Sequence, residues 1–136
     1  MLFVDTNIFL EYLLDHERAA DVESFLESAE RNSERLVCSQ FSLHTIEIVL
    51  ARNKKFNTLK KFLTNMERST HVFVYSTTLA EEKEVVNTAL QKTLTFDDAM
   101  QYYVAQKMGC GAIVSFDPDF DKTGLKRKTP KEAMKE

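Results

Sequence analysis

Two acidic residues in this chain directly follow short apolar runs. Asp5 follows Leu2–Val4, and Asp117 follows the stretch Ala112–Phe116 near the other end of the chain. A short apolar run that ends in Asp indicates a buried strand that delivers a carboxylate to one edge of a sheet. Sites in open α/β sheets form just outside the carboxyl ends of the strands. We therefore expect Asp5 and Asp117 to meet at that edge and to hold a divalent metal ion.

A third acid, Glu47, lies on or beside the apolar stripe of a predicted helix. Leu43, Ile46 and Leu50 form that stripe. An unpaired buried carboxylate costs several kcal/mol or takes up a proton. Glu47 therefore needs a cation or a metal ion as its partner, unless it lies at the edge of the stripe and reaches water or a lysine. The helix alone leaves both interpretations open.

Asp97 and Asp98 stand together where another helix begins. Thr95, three residues before Asp98, resembles a helix cap, and acids in a first turn are stabilised by the helix dipole. Capping alone does not require two adjacent acids. Neighbouring helical residues point roughly 100° apart, so one of the two can face inward while the other faces solvent.

The loop after the last clear strand carries acids at alternate positions, Asp117, Asp119 and Asp121. This spacing indicates a cation-binding edge. The loop lacks the glycine and the closing glutamate of an EF-hand, which argues against calcium. Cys38 and Cys110 show no metal-ligand spacing, so we expect free thiols and no zinc site.

Other common catalytic patterns are absent from the sequence. It contains no P-loop, GxGxxG, GxSxG or HExxH pattern, and His16, His44 and His71 do not pair at ligand spacing. Acids without another catalytic cluster favour a hard cation that prefers oxygen ligands, Mg²⁺ or Mn²⁺.

Short apolar runs that alternate with helical patterns must position these acids. The runs predict strands at residues 2–5, 36–38, 71–75 and 112–114, with a last short strand near Leu125. Helices are predicted after Asp5 or Thr6 as the cap, over 17–30, after Ser39, around 59–66, after Thr77 or Thr78, and from Thr95 to about Met108. The pattern predicts an α/β fold with a parallel sheet covered on both faces. We expect one domain over residues 1–136.

Composition and charge narrow the class of protein. The chain has 136 residues, of which 43% are hydrophobic and 29% charged, as in an ordinary globular protein. No apolar run approaches the roughly 20 residues needed to cross a bilayer, and no basic n-region precedes the first apolar run. We therefore expect a cytoplasmic protein that does not enter a membrane.

The charge is distributed unevenly along the chain. Residues 122–136 carry six basic and two acidic residues, a net charge of +4, so residues 1–121 carry −7. A basic tail could grip phosphates, or it could be a solvated terminus. Charge alone favours the solvated terminus.

Four stretches together resemble the PIN-domain nucleases, most closely the small stand-alone VapC-like toxins of toxin–antitoxin pairs. They match the opening apolar-Asp-Thr/Ser-Asn signature, the helical glutamate, the Asp-Ala that opens a helix, and the late apolar-Thr/Ser-x-Asp-x-Asp-Phe stretch. The stretches are Phe3–Asn7, Ser42–Glu47, Leu94–Ala99 and Ile113–Phe120. The order and spacing of all four make the resemblance specific over nearly the whole chain.

The resemblance implies a three-layer α/β/α sandwich around a twisted, mainly parallel sheet of about five strands. It also implies a catalytic, metal-binding cluster of four acids: Asp5, Glu47, Asp98 and Asp117. Asp98 is preferred over Asp97 because Ala follows it. Supporting polar roles fall to Thr6, Asn7, Ser115 and Asp119, with Thr6 as the expected cap of the first helix.

The implied activity is Mg²⁺- or Mn²⁺-dependent hydrolysis of RNA by a metal-activated water. Expected partners are the RNA substrate, a cognate antitoxin and a second copy in a homodimer, with the helices near residues 8–29 and 41–66 as possible surfaces. Two alternatives stay open: a PIN nuclease of RNA maturation or quality control, and a PIN-like binding module that no longer catalyses. An aspartyl phosphotransferase would need an acid where this chain has Asn7, which argues against that class.

Overall fold

The apolar runs form one sheet of five parallel strands in the computed structural model, which describes residues 1–134. The strands are β1 (Leu2–Val4), β2 (Leu36–Ser39), β3 (Val72–Tyr75), β4 (Ala112–Val114) and β5 (Arg127–Lys128). Their order in the sheet is β3-β2-β1-β4-β5, and every neighbouring pair is parallel. The expected fold class is confirmed. The last strand, expected near Leu125, lies two residues further along.

Side chains of the central strands alternate between two apolar cores, one on each face of the sheet. Phe3, Val37 and Ile113 face one core. Val4, Leu36, Cys38 and Val114 face the other. A strand buried on both faces has no polar side to show, which explains why these strands appear in the sequence as continuous apolar runs.

The helices cover both faces of the sheet and contribute side chains to these two cores. Helices α5 (Leu79–Lys92) and α6 (Phe96–Lys107) contribute to the core of Phe3. The core of Val4 contains residues of α1 (Thr6–Leu13), α2 (Ala19–Arg31), α3 (Gln40–Arg52), α4 (Phe56–Arg68) and α7 (Pro130–Met134). A 3₁₀ helix, Pro118–Thr123, follows β4.

Three helix starts follow from short polar side chains. The Ser39 hydroxyl accepts the Ser42 N–H, and Thr95 accepts the Asp98 N–H. Thr78 forms a reciprocal capping box with Glu81. These caps confirm the starts that the sequence predicts for α3, α5 and α6.

The first helix is not capped by the side chain that the sequence predicts. Asp5 is the residue before α1, its side chain makes no capping hydrogen bond, and Thr6 is already the first helical residue. The expectation that Thr6 caps this helix was therefore wrong. The physical reason is that the Thr6 hydroxyl bonds other side chains, Ser42 and Gln101.

The connection order creates a crevice at the carboxyl edge of the sheet. From β1 the chain moves outward through β2 to β3, and then crosses to β4 on the other side of β1. Such a reversal of strand order is where open α/β sheets place their sites. Asp5 follows β1 and Ser115 follows β4, so both lie beside this crevice.

Two further features of the described part of the chain bear on the protein class. None of its helices is long and apolar enough to span a membrane. Cys38 and Cys110 are buried free thiols, as expected.

Candidate metal centre

Asp5 is a buried carboxyl group at the sheet edge, with only 4% of its surface exposed. The Ser115 hydroxyl donates a hydrogen bond of 2.8 Å to its Oδ2. Burial raises the pKa of Asp5 from 3.8 to about 6, and the negative charges of Asp98 and Asp117 add to the rise. The Ser115 hydroxyl and the Thr6 backbone N–H oppose it. Asp5 is thus a carboxylate whose charge a nearby cation would stabilise.

Ser115 connects Asp5 to the acidic turn that follows β4. Its hydroxyl oxygen accepts the Asp117 N–H at 2.9 Å while its O–H donates to Asp5. Asp117 in turn accepts the Asp119 N–H at 2.9 Å and begins the 3₁₀ helix. These bonds fix Asp117 and Asp119 relative to the end of β1.

The carboxylates of Asp98, Asp117 and Asp119 converge on this crevice. One oxygen from each lies within 4.8 Å of the others. Partial burial raises the pKa of Asp98 from 3.8 to about 6, and the charges of Asp117, Asp97 and Asp119 contribute, against the hydrogen bond from Thr95. Acids that repel one another at this distance either take up protons or bind a cation.

The donor set fits Mg²⁺ or Mn²⁺. Each of the three grouped side chains offers a carboxylate oxygen, which these hard cations prefer. A divalent cation would also stabilise the ionised forms of Asp5 and Asp98, whose pKa values are raised to about 6 by burial first and by the neighbouring carboxylates second. Asp98, Asp117 and Asp119 could ligate it directly, with Asp5 beside them.

A buried polar network that the sequence did not indicate lies beneath these acids. Gln101 donates from Nε2 to Thr6 Oγ1 at 2.8 Å and to Ser42 Oγ at 2.7 Å, and it accepts from Ser39 Oγ at 2.8 Å. Ser39, Ser42 and Gln101 are at most 2% exposed. Gln101 lies one turn after Asp98 on α6, so the network ties the helix of Asp98 to the residue after Asp5.

Glu47 is not among the acids that the structure brings within 4.8 Å of one another. Its side chain is 33% exposed and lies 2.7 Å from the Nδ1 atom of His44, on the same helix. Its role as the fourth acid of the cluster stays a prediction. The supporting role of Asn7, which is exposed in the first turn of α1, also stays a prediction.

The basic tail is partly engaged within the fold. Arg127 pairs with Asp121 at 3.0 Å and donates to the Ser115 carbonyl at 3.3 Å. Lys128 is buried in β5, and Lys131 lies 3.8 Å from Asp21. Arg127 and Asp121 therefore brace the acidic turn. Lys135 falls outside the described residues.

Comparisons with known proteins identify a family and similar folds. A family model described as PIN domain matches residues 2–126. Among solved structures, VapC20 of Mycobacterium tuberculosis, described as a sarcin-ricin loop cleaving toxin, is 21% identical with a TM-score of 0.76, over 92% of this chain and 96% of that one. FitAcB of Neisseria gonorrhoeae is 13% identical with a TM-score of 0.66, over 96% and 98%. None of the curated proteins matches the chain.

Proposed function

The chain belongs to the PIN-domain family, and from this membership and its acidic crevice we propose that it is a metal-dependent endoribonuclease. The observation that carries the proposal is the convergence of Asp98, Asp117 and Asp119 within 4.8 Å, beside the buried Asp5. Phosphodiester hydrolysis by metal-activated water needs such a set of oxygen ligands and no protein nucleophile.

The side chains of the crevice would each perform a distinct task. Asp98 and Asp117 supply ligand oxygens, and Ser115 holds the Asp5 carboxylate in a fixed direction. Bound Mg²⁺ or Mn²⁺ supplies a water of lowered pKa and screens the charge that develops on phosphorus. Because the pKa values of Asp5 and Asp98 are near 6, both groups are mostly ionised above pH 7 and can then bind a cation. Glu47 is proposed as the fourth acid on the strength of the family resemblance.

We further propose that the protein is the toxin of a toxin–antitoxin pair, cytoplasmic and homodimeric. The toxin role is supported by the likeness in fold to VapC20, which is described as a toxin; the location and the homodimer are carried over from the family resemblance. A groove between α1, α2 and α4 offers a mixed surface for a partner: Phe9, Leu26 and Phe62 are apolar, and Glu27 and Arg68 are among its charged lining residues. An antitoxin that also presents a basic side chain to the acids would block the crevice.

The nuclease proposal is tested by incubating purified protein with structured RNAs and Mg²⁺ or Mn²⁺. Cleavage should stop with EDTA and in Asp5→Asn, and it should continue in Asp15→Asn, which removes an exposed acid at the end of α1. Cleavage that survives both EDTA and Asp5→Asn would refute the mechanism. Failure of the unmodified protein to cleave any RNA would favour the PIN-like binding module.

The toxin role has a separate test. A short protein encoded beside this one should copurify with it and suppress its RNA cleavage. A chain that cleaves RNA without any such partner would instead belong with the PIN nucleases of RNA maturation or quality control.

A further inference from the structure

A partly exposed aromatic ring stands close in sequence to one of the grouped acids. Phe96 is the first residue of α6, two residues before Asp98, and it is 39% exposed. Burying a phenylalanine side chain stabilises a fold, so an exposed ring forgoes part of that stabilisation. Near a proposed RNA-cleaving site, the exposed part of the ring is available for contact with the RNA.

The ring of Phe41 packs against the ring of Phe96. The two ring centroids are 6.0 Å apart and the rings are tilted by 60°, within the range that aromatic pairs prefer. Phe41 itself packs against the core that contains Phe3. The position of Phe96 is therefore anchored by packing, although part of its ring is exposed.

The aromatic pair lies at the same sheet edge as Asp5. Phe41 comes two residues after Ser39, the last residue of β2, and β2 is the direct neighbour of β1. Neighbouring strands are about 5 Å apart. The pair therefore lies along the carboxyl edge, next to the acids rather than among them.

Other phenylalanines of the described chain do not offer an open ring at this place. Phe56 begins α4, and Phe73 lies within the edge strand β3. Phe116 adjoins Asp117, but the Arg18 guanidinium covers its ring at 3.6 Å from the centroid.

We propose that Phe96 stacks on an unpaired base of the RNA strand, next to the phosphate held at the acids. The inference rests on the proposed ribonuclease function and adds to it a base-stacking residue outside the acidic cluster. Every base has a π-face, and bases splayed out of a helix stack on aromatic side chains. Stacking adds affinity for RNA without any positive charge on the protein. This matters here because residues 1–121 carry a net charge of −7.

Three variants separate stacking from packing. Phe96→Leu removes the ring and keeps an apolar side chain, whereas Phe96→Tyr keeps the ring. Phe56→Leu is the matched control, because Phe56 is also exposed but lies beyond the far end of α3, about 20 Å along that helix from Phe41. A cleavage-resistant 2-aminopurine oligoribonucleotide with phosphorothioate linkages, titrated in the presence of Mn²⁺ so that a cation holds the backbone at the acids, reports base stacking by fluorescence quenching.

The proposal predicts at least a five-fold weaker Kd and loss of quenching for Phe96→Leu, with near-normal values for Phe96→Tyr and Phe56→Leu. In cleavage assays Phe96→Leu should raise KM more than it lowers kcat, and its Mn²⁺ affinity should stay unchanged. Unchanged quenching in Phe96→Leu would overturn the proposal, as would equal damage in Phe96→Leu and Phe96→Tyr. If the unmodified protein cleaves no RNA, the proposed function fails, and the quenching titration still decides whether bases stack on Phe96.

Discussion

Replacing Asp5 with Asn should stabilise the metal-free protein at neutral pH. Burial and the charges of Asp98 and Asp117 raise the pKa of Asp5 from 3.8 to about 6. Each pKa unit corresponds to about 1.4 kcal/mol, so the ionised Asp5 lowers the free energy of unfolding by about 3 kcal/mol. Asparagine is uncharged, has nearly the same shape and still accepts the Ser115 hydroxyl, so it removes that penalty.

The pH dependence of this gain follows from the direction of the pKa shift. Between pH 3.8 and about 6 the folded protein binds more protons than the unfolded chain, because its Asp5 is the weaker acid. Stability therefore falls as pH rises through this window, and the loss is complete above it. The advantage of Asp5→Asn should be full, about 3 kcal/mol, at pH 7.5 and only about half as large at pH 5.

Urea unfolding in EDTA at the two pH values measures the difference. Asp15→Asn is the control, since Asp15 is exposed and its positive φ of 54° is one that asparagine also adopts. Saturating Mn²⁺ should largely cancel the difference: at 100 times its Kd it stabilises the unmodified protein by about 2.7 kcal/mol, and Asp5→Asn should lose most of this gain. A variant no more stable than the unmodified protein at pH 7.5, or a gain equal at both pH values, would refute the reasoning.

Three further substitutions test residues that position the acids or stabilise the fold. Gln101→Leu removes its three hydrogen bonds to the hydroxyls of Thr6, Ser39 and Ser42, so the free energy of unfolding should drop by about 1–3 kcal/mol in urea titrations and Mn²⁺ affinity should fall with it; unchanged affinity would limit Gln101 to stability. Ser115→Ala removes a hydrogen bond that lowers the pKa of Asp5, so the pH midpoint of Mn²⁺ binding should move upward, and a downward move would contradict the assigned role. Thr78→Ala removes the capping box of α5 and should cost about 1 kcal/mol by thermal unfolding; altered Mn²⁺ binding would show that its effect is not local.

Much of the fold follows from local patterns in the sequence. A short apolar run such as Leu2–Val4 is long enough for a buried strand and too short for a helix, so the strands could be placed to within a few residues. Ser39 and Thr95 mark helix starts because their hydroxyls satisfy free N–H groups one turn further on. The late strand β5 was harder to place, because its two residues, Arg127–Lys128, are basic and carry no apolar signal.

The parts of the site that could not be predicted depend on contacts between distant residues. Gln101 on a helix resembles an ordinary surface residue, and its bond to Thr6 spans 95 positions of the chain. For the same reason Thr6 was expected as a helix cap, because Ser42 and Gln101 become its neighbours only after folding.

The central claim is that the acids at the carboxyl edge of the sheet bind a divalent cation, and crystals grown with Mn²⁺ test it most directly. Anomalous scattering should show a Mn²⁺ peak within direct ligand distance, about 2 Å, of Asp98 and Asp117 oxygens, with Asp5 in the same site. The peak should vanish in crystals of Asp98→Asn grown under the same conditions. Absence of a peak in the crevice of the unmodified protein, or a peak confined to exposed acids elsewhere, would contradict the account.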